Sequence, residues 1–102
     1  MSKATHTPEE VLATVCAYFG VEISRTRSMQ RPSAKDHADG VARASKLAQA
    51  LMVELCGMNY CEVARWMGRA ESTVRAHHKK LDREVKADFL LARDIGRIVR
   101  AL

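Results

Sequence analysis

The sequence is poor in the features that mark several protein classes. No window approaches the about eighteen uninterrupted apolar residues that a membrane-spanning helix needs, so no membrane partner is expected. The opening MSKATHTPEE lacks the apolar run of a secretion signal, and a cytoplasmic chain is expected. Three cysteines are an odd number without framework spacing, which fits a reducing compartment better than a disulfide scaffold. One tryptophan, two tyrosines and two phenylalanines are too sparse, and too apolar in context, for a platform that stacks single-stranded bases. Neither G-x-x-x-x-G-K nor G-x-G-x-x-G occurs, which removes the sequence case for nucleotide hydrolysis. No nucleophile–base pair and no carboxylate cluster stands out. An enzyme is therefore not expected, nor a cofactor. Cys56, Cys61, His77 and His78 suggest zinc at first sight, but adjacent histidines cannot both face one ion from a helix, and no metal is expected.

What remains is a small basic chain. Its 102 residues are 47% hydrophobic, ordinary globular composition with enough apolar side chain for a modest core. Seventeen Lys and Arg oppose twelve Asp and Glu, a net charge of +5. The excess is local: residues 25–46 carry +4 and residues 69–83 carry +3, whereas 1–24 are −2, 47–68 are −1 and 84–102 are +1. A surface balanced for solubility intersperses its signs. Two concentrated stretches are the footprint of a phosphate-backbone contact, and the bland alternative is two solvated polar surfaces.

The spacing of apolar residues predicts an all-α chain. Thr7-Pro8 followed by Glu10 has the form of a capping box with proline at the first helical position. Val11, Leu12, Val15, Cys16 and Phe19 continue it at helical spacing, and Gly20 stops a helix of about 8–19. Residues 21–40 read as a basic loop with at most one helical turn, strung with Arg25, Arg27, Arg31 and Lys35 and broken by Pro32 and Gly40. From Val41 the pattern returns through Ala44, Ala48, Leu51, Met52 and Leu55. Asn59 and Glu62 form a second helix start, with the helix running from Tyr60 to Met67. A third start at Glu71 or Ser72 runs through Leu81. Val85, Phe89, Ala92, Ile95, Val99 and Leu102 predict a last amphipathic helix. The expected organisation is a DNA-binding domain over 1–83, followed by a helix over 84–102 that either closes the same core or docks a partner.

Two short helices about a tight glycine turn over 59–81 describe a helix-turn-helix. Ala64 is small where the helices would meet, Gly68 allows the reversal, and Val63, Met67, Val74 and Leu81 line the inside. The second helix would present Arg69, Glu71, Ser72, Thr73 and Arg75 to base edges and phosphates, with His77, His78, Lys79 and Lys80 extending its basic side. The bland alternative is a plain helix pair with a charged surface.

The run Gly68-Arg69-Ala70-Glu71-Ser72-Thr73-Val74 resembles the G-R-D-H-T-T-V signature of the C-terminal DNA-binding domain (domain IV) of the bacterial replication initiator DnaA, within the Trp-repressor-like helix-turn-helix superfamily. Val11–Ile23 is similar to that domain's opening helix. Arg43–Ala48 with Glu54-Leu55 is similar to its A-R-P-R-Q and alanine-rich helix, and Glu62-Val63-Ala64 to its P-E-I-G. The resemblance covers roughly residues 9–83. It implies Arg69, Ser72, Thr73 and Arg75 in the major groove, with Arg43, Ser45 and Lys46 on the backbone. It also implies one of Arg25, Arg27 or Arg31 in the minor groove. Ala70 and Glu71 depart from the family's acidic residue and histidine, so the initiator's own binding box is not the expected target.

The family's ATPase and oligomerisation domains have no counterpart here, which makes a transcriptional role the simplest expectation. Activators of phage-like gene transfer agent clusters are similar, and imply RNA polymerase or a sigma-factor-like protein as partner beside double-stranded DNA, at the nucleoid. Two other roles stay open: a replication accessory at origins, and a protein-interaction module whose basic surface takes an acidic protein.

Overall fold

A computed structural model describes residues 6–27 and 40–102. Its described residues form six helices: α1 Pro8–Phe19, α2 Ile23–Thr26, α3 Val41–Leu55, α4 Tyr60–Met67, α5 Glu71–Ala87 and α6 Phe89–Ala101. The expectation of an all-α chain holds.

Local chemistry places most of the boundaries. The Thr7 hydroxyl accepts from the Glu10 amide at 3.2 Å, and Pro8 occupies the first turn. The reciprocal half of that box is not made, because the Glu10 carboxylate instead meets His6 Nδ1 at 2.5 Å. At α4 both halves form: the Glu62 amide donates to Asn59 Oδ1 at 2.8 Å, and the Asn59 amide donates to Glu62 Oε1 at 3.1 Å. Gly68 ends α4 at φ 71°, a left-handed conformation that any Cβ would strain. Only Arg69 and Ala70 then separate it from α5.

One boundary differs from the sequence reading, the one between the last two helices. The predicted short turn in the basic stretch is α2, while Arg31 and Lys35 lie outside the described residues. Val85 belongs to α5, not to the last helix, because α5 runs unbroken to Ala87. The last helix starts at Phe89, where Asp88 Oδ1 accepts from the Leu90 and Leu91 amides at 3.0 and 3.2 Å. An aspartate ahead of an apolar run is a cap signal that periodicity alone passes over.

One core unites the helices. Val11, Leu12 and Val15 of α1, Ala44, Ala48 and Met52 of α3, Val63 and Met67 of α4, and Val74 of α5 are all within 1% of complete burial. Each fully buried aliphatic or methionine side chain contributes about 1.5–3 kcal/mol. Ile98 of α6 is also fully buried in this cluster, with Ile95 and Leu102 packed against it, so the last helix closes the domain's own core. Its other side leaves Phe89 and Leu90 exposed. No helix among the described residues is long and apolar enough to cross a membrane.

Candidate nucleic-acid interface

The two basic stretches meet at one backbone oxygen. Ser45 Oγ, in the first turns of α3, donates to the carbonyl of Thr26 at the end of α2, at 3.2 Å. Arg69 Nη2, in the turn between α4 and α5, donates to the same oxygen at 3.2 Å. Arg27 reaches across as well: its Nε and Nη2 donate to the Trp66 carbonyl at 3.1 and 2.7 Å, and its guanidinium lies 4.0 Å from the Trp66 ring centroid. These contacts fix the end of α2, the start of α3 and the α4–α5 turn as one unit. Residues distant in sequence thereby become one charged surface.

A buried polar relay continues inward from that point. Ser45 is 2% exposed and Gln49 fully buried. Gln49 Nε2 donates to Ser45 Oγ at 3.0 Å, and Gln49 Oε1 lies 2.8 Å from His77 Nδ1 on α5. An amide oxygen only accepts, so His77 carries its proton on Nδ1. Burial, then the nearby Lys46, Arg69 and Lys80 charges, push the His77 pKa down to about 4. His77 is therefore a neutral, half-buried part of the relay, not an extension of the basic face.

Helix ends complete the electrostatics. α1, α4 and α6 begin with side-chain caps, whereas α3 starts after Gly40 and α5 after Ala70 with no side-chain cap. Uncapped helix starts point amides and a positive dipole end outward. Arg43 and Lys46 are exposed at the start of α3, and Glu71 and Ser72 at the start of α5, with Thr73 partly covered. Glu71 is the first residue of the helix and not its cap, and its Oε1 accepts from Arg75 Nη2 at 3.1 Å. Arg75 also lies over the Tyr60 ring at 5.4 Å.

The structure does not put every expected contact at the surface. Ser45 is inside, spent on Thr26 and Gln49, because its place on α3 faces the core side of the Thr26 carbonyl. It is corrected from a backbone contact to a structural residue. Arg27 is committed to Trp66. His78 is committed too: Nδ1 lies 2.9 Å from Tyr60 Oη and Nε2 2.5 Å from Glu54 Oε1, tying α3, α4 and α5 together. Arg25 is partly covered on α2 and also partnered. Arg31 lies outside the described residues. Arg43, Lys46, Ser72, Arg75 and Lys79 are exposed.

The sequence reading missed Gln49. Its one available signal was a lone long polar side chain between Ala48 and Ala50 on an otherwise apolar helix. Cys16 and Cys56 are buried, and burial pushes both thiols up, away from reactivity.

No protein-family model matches this sequence, and no curated protein is significantly similar to it.

Proposed function

We propose that this chain is a sequence-specific double-stranded DNA-binding protein acting as a transcriptional regulator. In this reading α4 and α5 form a helix-turn-helix and the start of α5 enters the major groove. The observation that carries it is the convergence at the Thr26 carbonyl, which brings the described ends of the first basic stretch, at Arg27 and at Ser45, against the Arg69 turn that opens the second. Uncapped starts of α3 and α5 add backbone amides suited to phosphate. Ser72, Thr73 and Arg75 are the side chains for base edges, and Arg43 and Lys46 those for the backbone. The likeness to the initiator's DNA-reading domain supports the same assignment. It favours activation of a phage-like or gene transfer agent cluster, with RNA polymerase or a sigma-like protein as partner.

Duplex binding at graded salt tests the reading. Several released counterions are expected; a flat dependence would leave only a protein-interaction module. Genome-wide occupancy in the native host separates regulation, enriched at promoters, from a replication role, enriched at the origin. Thr73→Ala is expected to weaken specific binding by ~1–3 kcal/mol and leave random-sequence binding nearly unchanged. An equal loss on both DNAs would remove Thr73 from the base-reading set.

A further inference from the structure

A groove of about 480 Å³ opens between the start of α3, the middle of α5 and the start of α6. Its volume falls in the range of small-ligand sites, about 300–1,000 Å³. Leu47, Leu81, Leu90 and Leu91 line it with apolar side chains, and Arg43, Lys46, Lys80 and Arg93 set four cations against the carboxylates of Glu84, Asp88 and Asp94. Lys80 pairs with Glu84 at 3.7 Å and Arg93 with Asp94 at 4.0 Å, which leaves Arg43 and Lys46 as its unpaired cations among the described residues. His77 lines it too.

The relay determines what His77 offers there. Nδ1 donates to Gln49, so Nε2 carries the lone pair. Nε2 has no hydrogen-bond partner among the described residues, and the half-buried ring lines the groove. The ring stays neutral well below pH 7, which preserves that acceptor among three cations. The duplex backbone has no use for it, since phosphate and deoxyribose within a strand present acceptors only, and base amino groups in the grooves are the duplex's only donors. A ligand that carries an anionic group and a neighbouring hydroxyl uses both kinds of wall. An apolar floor beside them suits a flat ring.

We propose that this groove binds a small ribonucleotide, with phosphate on Arg43 and Lys46 beside Lys80, the ribose 2′-hydroxyl donating to His77 Nε2, and the base against the leucines. The site is independent of the DNA reading, though it shares Arg43 and Lys46 with it. A bound nucleotide would therefore compete with duplex DNA for those two cations.

The test is a titration of the ¹⁵N-labelled full chain, without DNA, with GMP, AMP, 2′-deoxy-GMP and inorganic phosphate. Saturable shifts are expected at residues 42–47, 77–81 and 90–91. GMP or AMP should bind roughly fivefold more tightly than the deoxynucleotide, the worth of one hydrogen bond. His77→Asn keeps an amide donor for Gln49 and deletes the Nε2 acceptor. A native-like spectrum with the ribose preference abolished is the expected result, and Lys80→Gln should weaken every phosphate-bearing probe. Absence of saturable shifts at millimolar nucleotide would overturn the proposal. So would inorganic phosphate binding as tightly as GMP. None of these outcomes bears on duplex binding, which is measured separately.

Discussion

His77 makes the stability of this protein depend on pH in a specific direction. In the folded chain its pKa is near 4, against an ordinary value near 6.5. Because the folded value is the lower one, the unfolded chain holds an extra proton between these limits. Stability from this group is complete above about pH 6.5, falls as pH drops towards 4, and changes little below that. A wholly buried ring with this gap would lose roughly 3 kcal/mol. His77 is only half-buried, and solvent screening reduces the expected loss to about 1–2 kcal/mol. Lys46, Arg69 and Lys80 all disfavour the imidazolium, so the effect should also shrink at high salt.

Urea unfolding followed by far-ultraviolet circular dichroism, from pH 7 to 4, measures it. The comparison is wild type against His77→Asn, which retains a donor towards Gln49 but cannot titrate. Subtracting the two curves removes what the other three histidines contribute. The wild type should lose about 1–2 kcal/mol more than the variant across this range. Parallel curves would refute the claim that burial and the surrounding cations hold His77 neutral.

Three further substitutions probe the frame. Met67→Ala removes a fully buried side chain at the end of α4 and should cost about 2–4 kcal/mol in urea unfolding; a loss below about 1 kcal/mol would mean that the turn repacks. Asn59→Ala removes the side-chain half of the α4 capping box, leaving the backbone amide its bond to Glu62, and should cost about 1 kcal/mol, most of it restored by Asn59→Ser. Arg27→Ala should cost about 1 kcal/mol and shift the emission of Trp66, the only tryptophan, because it removes both the stacked guanidinium and its bonds to the Trp66 carbonyl. Its effect on duplex binding should not depend on A·T-rich flanks; a strong dependence would return Arg27 to the minor groove.

The helices were legible because their signals are local. Thr7 with Pro8, Asn59 with Glu62, and Gly68 act within one turn of chain, and the structure uses each where the sequence puts it. The end of α5 was not legible, because the apolar spacing runs on from Leu81 through Val85 and Phe89 with no glycine or proline to break it. The candidate surface was legible as charge but not as geometry. Counting found two basic stretches, yet no local rule says that Ser45 and Arg69 share the Thr26 carbonyl.

That difference follows from how polar side chains are assigned. A hydrophobic position needs only the right face of its helix, and periodicity supplies it. A polar residue takes its role from its partner, and here the partners are 18 to 43 residues away in sequence. Ser45, Arg27 and His78 have the residue types of DNA contacts and are drawn into structure by such partners. Gln49, on a face that composition makes look apolar, organises the site instead. Among the described residues, those without an internal partner include Arg43 and Lys46 on the first turns of α3, Ser72 on the first turn of α5, and the Nε2 edge of His77. Three of these suit phosphate or base edges. The fourth is an acceptor, and an acceptor among cations calls for a ligand with a proton to give.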